Sequence, residues 1–331
     1  MSETKSETKL DRSYLDLVKE CDSFPYIQDD PALYKKYVSN FHEFKINGYP
    51  QILGYMQNEM VEKFPWPESE WKVVKGEKGK SGTLTLMSHE KATVDERTAL
   101  LDKSLQEARN TFEVLKGKGW RNEKYPIYIP GTNDLLASIE RSAACLFGVS
   151  TWGIHMTAYT GKDENMKIWV PKRAATKSTF PGMLDNSVAG GMATFEKPFE
   201  CMLREAYEEA SLKREDAGKA IATGALRYIY ERDSRAGGET GLLQPECEYI
   251  YDLHLESNII LTPKDGEVEW FNLMLVDEVI KELRKGNFKP NCAVVIIDFL
   301  IRHGKITAES EEDYEEICSR LHRRLGYPNI E

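Results

Sequence analysis

Apolar residues follow helical spacing over much of the first half of the chain. Five of them share one face of a helix predicted over residues 95–116, which Gly117 and Gly119 end: Leu101, Leu105, Ala108, Phe112 and Leu115. Further helices are predicted over 10–18, 32–44 and 135–147, and a turn at Asn47-Gly48. The alternating segment 82–87 predicts a strand, so this half is expected to be α+β.

Alternating apolar positions predict more strands in the second half. The predicted strands are 152–160, 166–170, 187–191, 225–231, 248–255 and 268–275. The predicted helices are 198–212, 276–285, 293–302 and 310–325. This change of pattern predicts a smaller α+β domain over 10–150 and a second domain over 151–331, after a disordered leader over 1–9.

Charge and composition exclude several classes of function. The chain has 44 Lys and Arg against 54 Asp and Glu, a net charge of −10, which argues against a nucleic-acid partner. The longest apolar stretch, 293–301, is interrupted by Asp298 and is too short to span a membrane. The N-terminus lacks a targeting pattern, and the six cysteines are scattered without a CxxC pair. We therefore expect a cytoplasmic protein that acts on a small molecule.

The helix predicted over 198–212 carries a cluster of carboxylates. Glu205, Glu208 and Glu209 are spaced at i, i+3 and i+4, so a helix places all three on one face, where they repel each other. Hard oxygen ligands of this kind suit Mg²⁺ or Mn²⁺. The alternative is a solvated acidic helix face, which three glutamates alone do not exclude.

The residues around this cluster favour the metal-site interpretation over a solvated helix face. The segment resembles the Nudix box: Gly, five residues, Glu, seven residues, Arg-Glu, an apolar residue, any residue, Glu-Glu, any residue, Gly, then an apolar residue. The matching positions are Gly190, Glu196, Arg204, Glu205, Ala206, Glu208, Glu209 and Leu212. Six Gly, Glu and Arg positions match by chance with a probability on the order of 10⁻⁷ per start point. Ser211 departs from the pattern, which has Gly there to ease a left-handed helix exit.

This resemblance implies a Nudix hydrolase domain, an α/β/α sandwich around a mixed sheet that cleaves a diphosphate linked to another moiety. It implies that Glu205, Glu208 and Glu209 hold the metal, and that Glu196 and Arg204 brace the loop and the helix. A carboxylate from a later loop often completes such a site, and Glu267 is our candidate. An ordinary turn residue before a strand is an equally good interpretation of Glu267.

Other segments resemble one fungal and plant Nudix subfamily that carries an extra N-terminal domain. They are 120–125, 140–141, 147–148, 153–155, 169–173, Lys177 and 181–186. In some fungi the same pair of domains is fused to thiamine pyrophosphokinase. The resemblance implies Mg²⁺-dependent hydrolysis of oxidised or damaged thiamine diphosphates, such as oxo- and oxythiamine diphosphate, to the monophosphate and phosphate.

Candidate substrate-binding residues lie before and within the box. They are Lys172, Arg173 and Lys177 for the terminal phosphate, His155, and the loop residues Gly190 and Gly191. The basic group also fits a solvated strand end, and His155 also fits a satisfied, half-buried histidine. The attacking water is expected to lose its proton to Glu205 or to Glu267.

Three other functions are considered. A Nudix hydrolase of another nucleoside- or sugar-linked diphosphate differs only in substrate. Isopentenyl diphosphate isomerisation uses a related fold, but its characteristic cysteine and glutamate contexts are not evident. A Nudix-derived binding module usually loses carboxylates from the helix, whereas Glu205, Glu208 and Glu209 are all retained. The oligomeric state is left open.

Overall fold

The computed structural model describes residues 11–327, so the leader predicted over 1–9 lies outside the described residues. No helix within 11–327 is long and apolar enough to cross a membrane.

The first half of the described chain contains two small sheets. Its elements are α1 (Tyr14–Cys21), α2 (Pro31–Val38), β1 (Phe41–Ile46), β2 (Tyr49–Gln57), α3 (Asn58–Lys63), β3 (Trp71–Val74), β4 (Gly82–Leu86), α4 (Val94–Ala108), β5 (Lys124–Tyr128), β6 (Leu135–Glu140) and α5 (Ala144–Phe147). Strands β1 to β4 form a sheet of order β2-β1-β4-β3, in which only β1 and β4 are parallel. Strands β5 and β6 form an antiparallel pair.

The second half of the described chain is built on one mixed sheet. Its elements are β7 (Thr151–Thr160), β8 (Lys167–Arg173), β9 (Val188–Gly191), α6 (Pro198–Ala210), α7 (Arg214–Ala217), β10 (Ile221–Glu231), β11 (Leu243–His254), β12 (Val268–Leu275), α8 (Val276–Arg284), α9 (Pro290–Arg302) and α10 (Tyr314–Leu321). The strand order is β10-β11-β7-β8-β12, and β9 pairs with β7. Strands β7 and β11 are parallel and the other pairs are antiparallel.

Helices cover both faces of this six-stranded sheet. Apolar residues of α6, including Met202 and Ala206, pack on one face against Ile154 of β7. Helices α1, α8, α9 and α10 bury their apolar sides on the other face. The resulting α/β/α sandwich with a mixed sheet, preceded by a separate α+β part, confirms the predicted fold class. Helix α1 nevertheless packs with α9, so it belongs to the core of the second half.

The helix predicted over 32–44 is wrong in its second part. Helix α2 ends at Val38, and Phe41 begins strand β1. The side chains of Ser39 and Asn40 donate to the carbonyls of Lys36 and Tyr37, and such local hydrogen bonds compete with continued helix. The sequence from Phe41 to Ile46 then alternates between buried and half-buried residues, as a strand requires.

Two other predicted helices are corrected. Helix α4 ends at Ala108 rather than at residue 116, although Phe112 and Leu115 are buried in the same core as Leu101. Residues 135–147 are not one helix, because Leu135–Glu140 is strand β6 and only Ala144–Phe147 is α-helical. A continuous apolar run fits a buried strand as well as a helix, so periodicity alone does not separate them.

Most of the second half agrees with the prediction. The strand over 268–275 is found with those bounds, and helix α8 differs from its prediction by one residue. Helix α10 is shorter than predicted, because residues 310–313 form a turn and the chain after Leu321 is extended. The predicted Asn47-Gly48 turn joins β1 to β2, with Gly48 at φ +84°.

Candidate active site

Helix α6 places the acidic cluster beside strand β9. Pro198 begins the helix, and the buried residues Cys201, Met202 and Ala206 fix its apolar side on the sheet. This packing turns Glu205 and Glu209 toward β9 and leaves Glu208 exposed. The helix ends at Ser211 in the left-handed conformation, at φ 55°, which is the geometry that the Nudix pattern fills with Gly.

Arg204 holds the preceding loop against the helix. Its Nε and Nη2 atoms donate to the two carboxylate oxygens of Glu196, at 2.9 and 3.1 Å. Glu196 also accepts from the backbone N–H of Ala193 at 3.2 Å. Burial opposes ionisation of Glu196, but these hydrogen bonds hold its pKa below the usual value. Arg204 also donates to Glu205 at 2.8 Å and to Glu208 at 3.1 Å.

Glu205 and Glu209 form a pair of like charges beneath the loop. Burial raises the pKa of Glu205 to about 7 despite the nearby Arg204. Burial and the charge of Glu205 raise the pKa of Glu209 well above its usual value, although its Oε2 accepts from the N–H of Ala189 at 3.1 Å. The nearby cations, Arg204 and Arg141 at Glu205 and Lys177 at Glu209, do not offset this effect.

Strand β9 approaches these side chains through bare backbone. A Cβ added to Gly190 would lie 2.1 Å from Oε1 of Glu205, and one added to Gly191 would lie 1.6 Å from the hydroxyl of Tyr125. Neither contact is possible for a real Cβ, so both positions need glycine for close approach rather than for an unusual φ.

A cavity of about 620 Å³ extends from the acidic cluster and is walled by both halves of the chain. From the first half come, among others, Val114, Gly119, Arg121, Tyr125, Arg141 and Cys145. From the second half come, among others, the predicted site residues His155, Arg173, Lys177, Gly190, Gly191, Arg204, Glu205, Glu208, Glu209 and Glu267. The α+β part is therefore one wall of the cavity.

The basic residues predicted for phosphate binding are separated in the structure. Lys177 lines the cavity in an ion pair with Glu267. Arg173 also reaches the cavity, but its guanidinium is buried and pairs with Asp185 at 2.5 Å. Lys172 is not brought to the cavity, because successive strand residues face opposite sides, and it pairs with Glu269 at 3.0 Å. The catalytic and binding roles of these residues remain predictions.

His155 is buried in a polar network. Its Nδ1 lies 2.6 Å from Oδ1 of Asn186, and its Nε2 lies 3.5 Å from Oε1 of Glu248. Although burial lowers the pKa of His155, the charge of Glu248 raises it well above its usual value.

Sequence reasoning missed several cavity residues. Glu246 and Glu248 of β11 face the cavity beside Tyr228 of β10. Two glutamates spaced by two residues in an otherwise apolar strand are a usable signal, because buried carboxylates are rare. Arg141 was also missed as a site residue; it pairs with Glu123 at 2.8 Å, lies over the ring of Tyr125, and lowers the pKa of Glu205.

The donor set fits a divalent cation. Glu205 and Glu209 offer carboxylate oxygens, and both line the cavity beside the bare backbone of Gly190. Within residues 11–327 no three His, Cys, Asp or Glu side chains already converge as a metal cage. Glu208 instead contacts Arg204, so it must turn from that guanidinium to join the other two.

Comparison with known proteins agrees with this arrangement. Residues 14–151 match the profile of a family described as "Domain of unknown function (DUF4743)", and residues 154–292 match that of the NUDIX domain. The uncharacterized protein YJR142W of Saccharomyces cerevisiae is 42% identical over 243 residues, which are 71% of this chain and 70% of that protein.

Two further similarities concern named enzymes. The chloroplastic Nudix hydrolase 20 of Arabidopsis thaliana is 39% identical over 207 residues, which are 62% of this chain but only 53% of that protein. The solved dihydroneopterin triphosphate pyrophosphohydrolase of E. coli is 14% identical, with a TM-score of 0.34 over 46% of this chain and 95% of that one.

Residues 154–292 are therefore a NUDIX domain, and the chain is related to Nudix hydrolases of Arabidopsis thaliana. A DUF4743 domain, over residues 14–151, precedes the NUDIX domain in this chain. The prediction of a Nudix diphosphate hydrolase is confirmed. The thiamine-linked substrate stays a prediction.

Proposed function

We propose that this protein hydrolyses the diphosphate of oxidised or damaged thiamine diphosphates, with Mg²⁺ or Mn²⁺ as cofactor. The products are the thiamine-type monophosphate and inorganic phosphate. The observation that best supports the proposal is that one cavity is lined both by carboxylates suited to a divalent cation and by aromatic side chains. The aromatic residues include Tyr125, Trp152, Phe180, Tyr228 and Tyr230.

Glu205, Glu208 and Glu209 are the residues that would hold the cation. When bound, it supplies charge neutralisation for the diphosphate. Arg141 is oriented by Glu123 and lies close enough to influence Glu205, so it is suited to bind a phosphate oxygen. Lys177 is another cation of the cavity near the acidic cluster, because its charge opposes the rise in the pKa of Glu209 that burial causes.

Hydrolysis then requires an oriented water. Its oxygen bonds to the terminal phosphorus, the bond from that phosphorus to the bridging oxygen breaks, and the monophosphate leaves. The proton passes to Glu205 or Glu267. Glu267 is held ionised by Lys177, because this ion pair keeps its pKa below the usual value despite burial.

The test is phosphate release from thiamine, oxothiamine and oxythiamine diphosphates, with and without Mg²⁺, beside ADP-ribose and a nucleoside diphosphate. Faster Mg²⁺-dependent turnover of the oxidised thiamine compounds supports the proposal. Release only from ADP-ribose or the nucleotide would keep the Nudix reaction and reject the thiamine substrate. Retained turnover in both Glu205→Gln and Glu267→Gln would reject both candidate bases.

The same proposal includes a cytoplasmic location for this protein, since it would then encounter damaged cofactors where they are used. Fractionation of cells that express the full chain tests it. Recovery in an organelle fraction would contradict it.

A further inference from the structure

A second pair of carboxylates lies in the same cavity, away from helix α6. Glu246 and Glu248 project from β11, and Tyr228 of the neighbouring β10 lies between them. The hydroxyl of Tyr228 is 2.6 Å from Oε2 of Glu246 and 3.0 Å from Oε1 of Glu248. Nothing in the proposed hydrolysis uses this pair.

The hydrogen bonds of the two carboxylates differ. Both oxygens of Glu246 have partners, since Oε1 accepts from Nε2 of Gln244 at 2.7 Å and Oε2 accepts from Tyr228. Glu248 faces Tyr228 and His155 through Oε1 only. Its Oε2 is buried and has no hydrogen-bond partner among the described residues, in a side chain that is only 5% exposed.

The free oxygen lies over bare backbone at the wall of the cavity. A Cβ added to Gly153 would lie 2.3 Å from Oε2 of Glu248. Gly153, Glu248 and Trp152 all line the cavity. The absence of a side chain at Gly153 therefore lets this oxygen lie against the backbone at the cavity wall.

The sheet sets the distance from this oxygen to the metal end. Gly153 pairs with Glu248 of β11 on one side and with Gly191 of β9 on the other. Two strand spacings separate the backbones of Glu248 and Gly191 by about 10 Å. Gly190, the neighbour of Gly191, contacts Glu205. A small molecule can thus reach both ends of the cavity at once.

A buried carboxylate oxygen without a donor is costly, and a hydrogen-bond donor from a ligand removes that cost. Oε1 of Glu248 lies beside His155, whose charge favours the ionised form of Glu248, so Oε2 is an anionic acceptor. It suits an N–H group, whereas a carbonyl oxygen at the same place would be repelled. The aromatic side chains of Trp152, Tyr125 and Tyr228 can enclose a ring that carries such a group.

We propose that Oε2 of Glu248 accepts a hydrogen bond from the amino group on the substrate's nitrogen heterocycle. Among damaged thiamine diphosphates, Glu248 thereby favours those that keep this amino group, such as oxothiamine diphosphate, over oxythiamine diphosphate. The inference rests on the proposed function for the orientation of the substrate.

The test uses a pair of compounds that differ at one ring substituent. Oxothiamine diphosphate keeps the amino group on its pyrimidine ring, and oxythiamine diphosphate has a carbonyl there. The Glu248→Gln side chain keeps its shape but can donate from its amide to that carbonyl. In Glu248→Gln we expect kcat/KM for oxothiamine diphosphate, divided by kcat/KM for oxythiamine diphosphate, to fall at least about tenfold. The matched Glu246→Gln variant, whose oxygens are already partnered, is expected to change this ratio by less than about threefold.

A binding measurement separates failure of this inference from failure of the proposed function. Calorimetry with phosphate-free thiamine and oxythiamine reports the ring site without any hydrolysis. Preferential thiamine binding that Glu248→Gln removes, without turnover of any thiamine diphosphate, would reject the function and keep the ring site. The opposite case is a Glu248→Gln variant that turns over both compounds with an unchanged ratio of kcat/KM for oxothiamine over oxythiamine diphosphate. If its circular dichroism and unfolding match those of the wild type, this result would overturn the ring site alone. Neither binding nor turnover would overturn both.

Discussion

Replacing Glu209 by Gln removes one of two carboxylates that repel each other beneath the β9 loop. Burial raises the pKa of Glu205 from 4.5 to about 7 on folding, and burial together with the charge of Glu205 raises the pKa of Glu209 well above 4.5. At 1.36 kcal/mol for each tenfold change in proton affinity, ionising such a group costs the native state roughly 3 kcal/mol above pH 7. Gln has nearly the same shape and can still accept from the N–H of Ala189. We therefore expect Glu209→Gln to raise the metal-free unfolding free energy at pH 8 by about 1–3 kcal/mol.

The change in unfolding free energy caused by Glu209→Gln depends on pH and on bound metal. Burial and the charge of Glu205 raise the pKa of Glu209 above 4.5 on folding, so ionised Glu209 destabilises the fold increasingly as the pH rises above about 4.5. The gain from Glu209→Gln should therefore shrink to nothing below that pH. In Mg²⁺ at a thousand times Kd the order should reverse, because wild type gains binding energy of about 4.1 kcal/mol and the variant does not. Turnover of the variant should fall by at least a hundredfold.

The assay is urea unfolding in EDTA and in Mg²⁺, at pH 4.5 and pH 8. Glu200→Gln is the matched control, because Glu200 lies on the same helix, is exposed, and pairs with Arg214 on the surface. It should change stability by less than about 0.5 kcal/mol in every condition. A Glu209→Gln protein that is less stable than wild type in EDTA at pH 8 would refute the reasoning about repulsion.

Three further outcomes are expected. Gly190→Ala should lower turnover about a hundredfold with little change in unfolding temperature. The reason is that the added Cβ must displace the Glu205 carboxylate by more than about 1 Å. Unaltered kinetics would contradict the close approach of Gly190 to Glu205. Ser211→Gly should stabilise the fold by about 0.5–1 kcal/mol in thermal unfolding, because Ser211 is left-handed at φ 55°, and a loss of stability would count against that strain. Arg323→Met should lower the unfolding free energy in urea by about 3–5 kcal/mol, because it leaves Asp22 buried without its 2.7 Å ion pair. The control Arg324→Met, at an exposed position, should be nearly neutral. Equal effects of the two variants would refute the buried ion pair.

The sequence predicted the chemistry of the carboxylate helix better than the walls of the cavity. Glu205, Glu208 and Glu209 depend on spacing within a single helix, which local periodicity reveals. The contact between Gly191 and Tyr125 joins distant parts of the chain, and no local pattern indicates it. The free oxygen of Glu248 likewise depends on which partners three separate strands and a loop provide.

Two other errors have a similar cause. Residues 135–147 are rich in apolar residues, which suit a helix or a buried strand, and the partner strand β5 made 135–140 a strand. Lys172 was predicted together with Arg173, but only the sheet pairing reveals that neighbours on β8 face opposite sides. Tertiary context, rather than local preference, decided both cases.

The packing of α1 against α9 affects the order in which the protein can fold. Tyr14 begins α1, whereas Pro290 begins the helix that covers it. At about 5–20 residues per second, synthesis separates the two helices by roughly a quarter of a minute to one minute. During that time the apolar side of α1, with Leu17 and Val18, has no native partner on α9. The layer of helices on this face of the sheet is therefore completed late, when α9 packs against a helix made near the start of the chain, and a chaperone that shields α1 would assist this step.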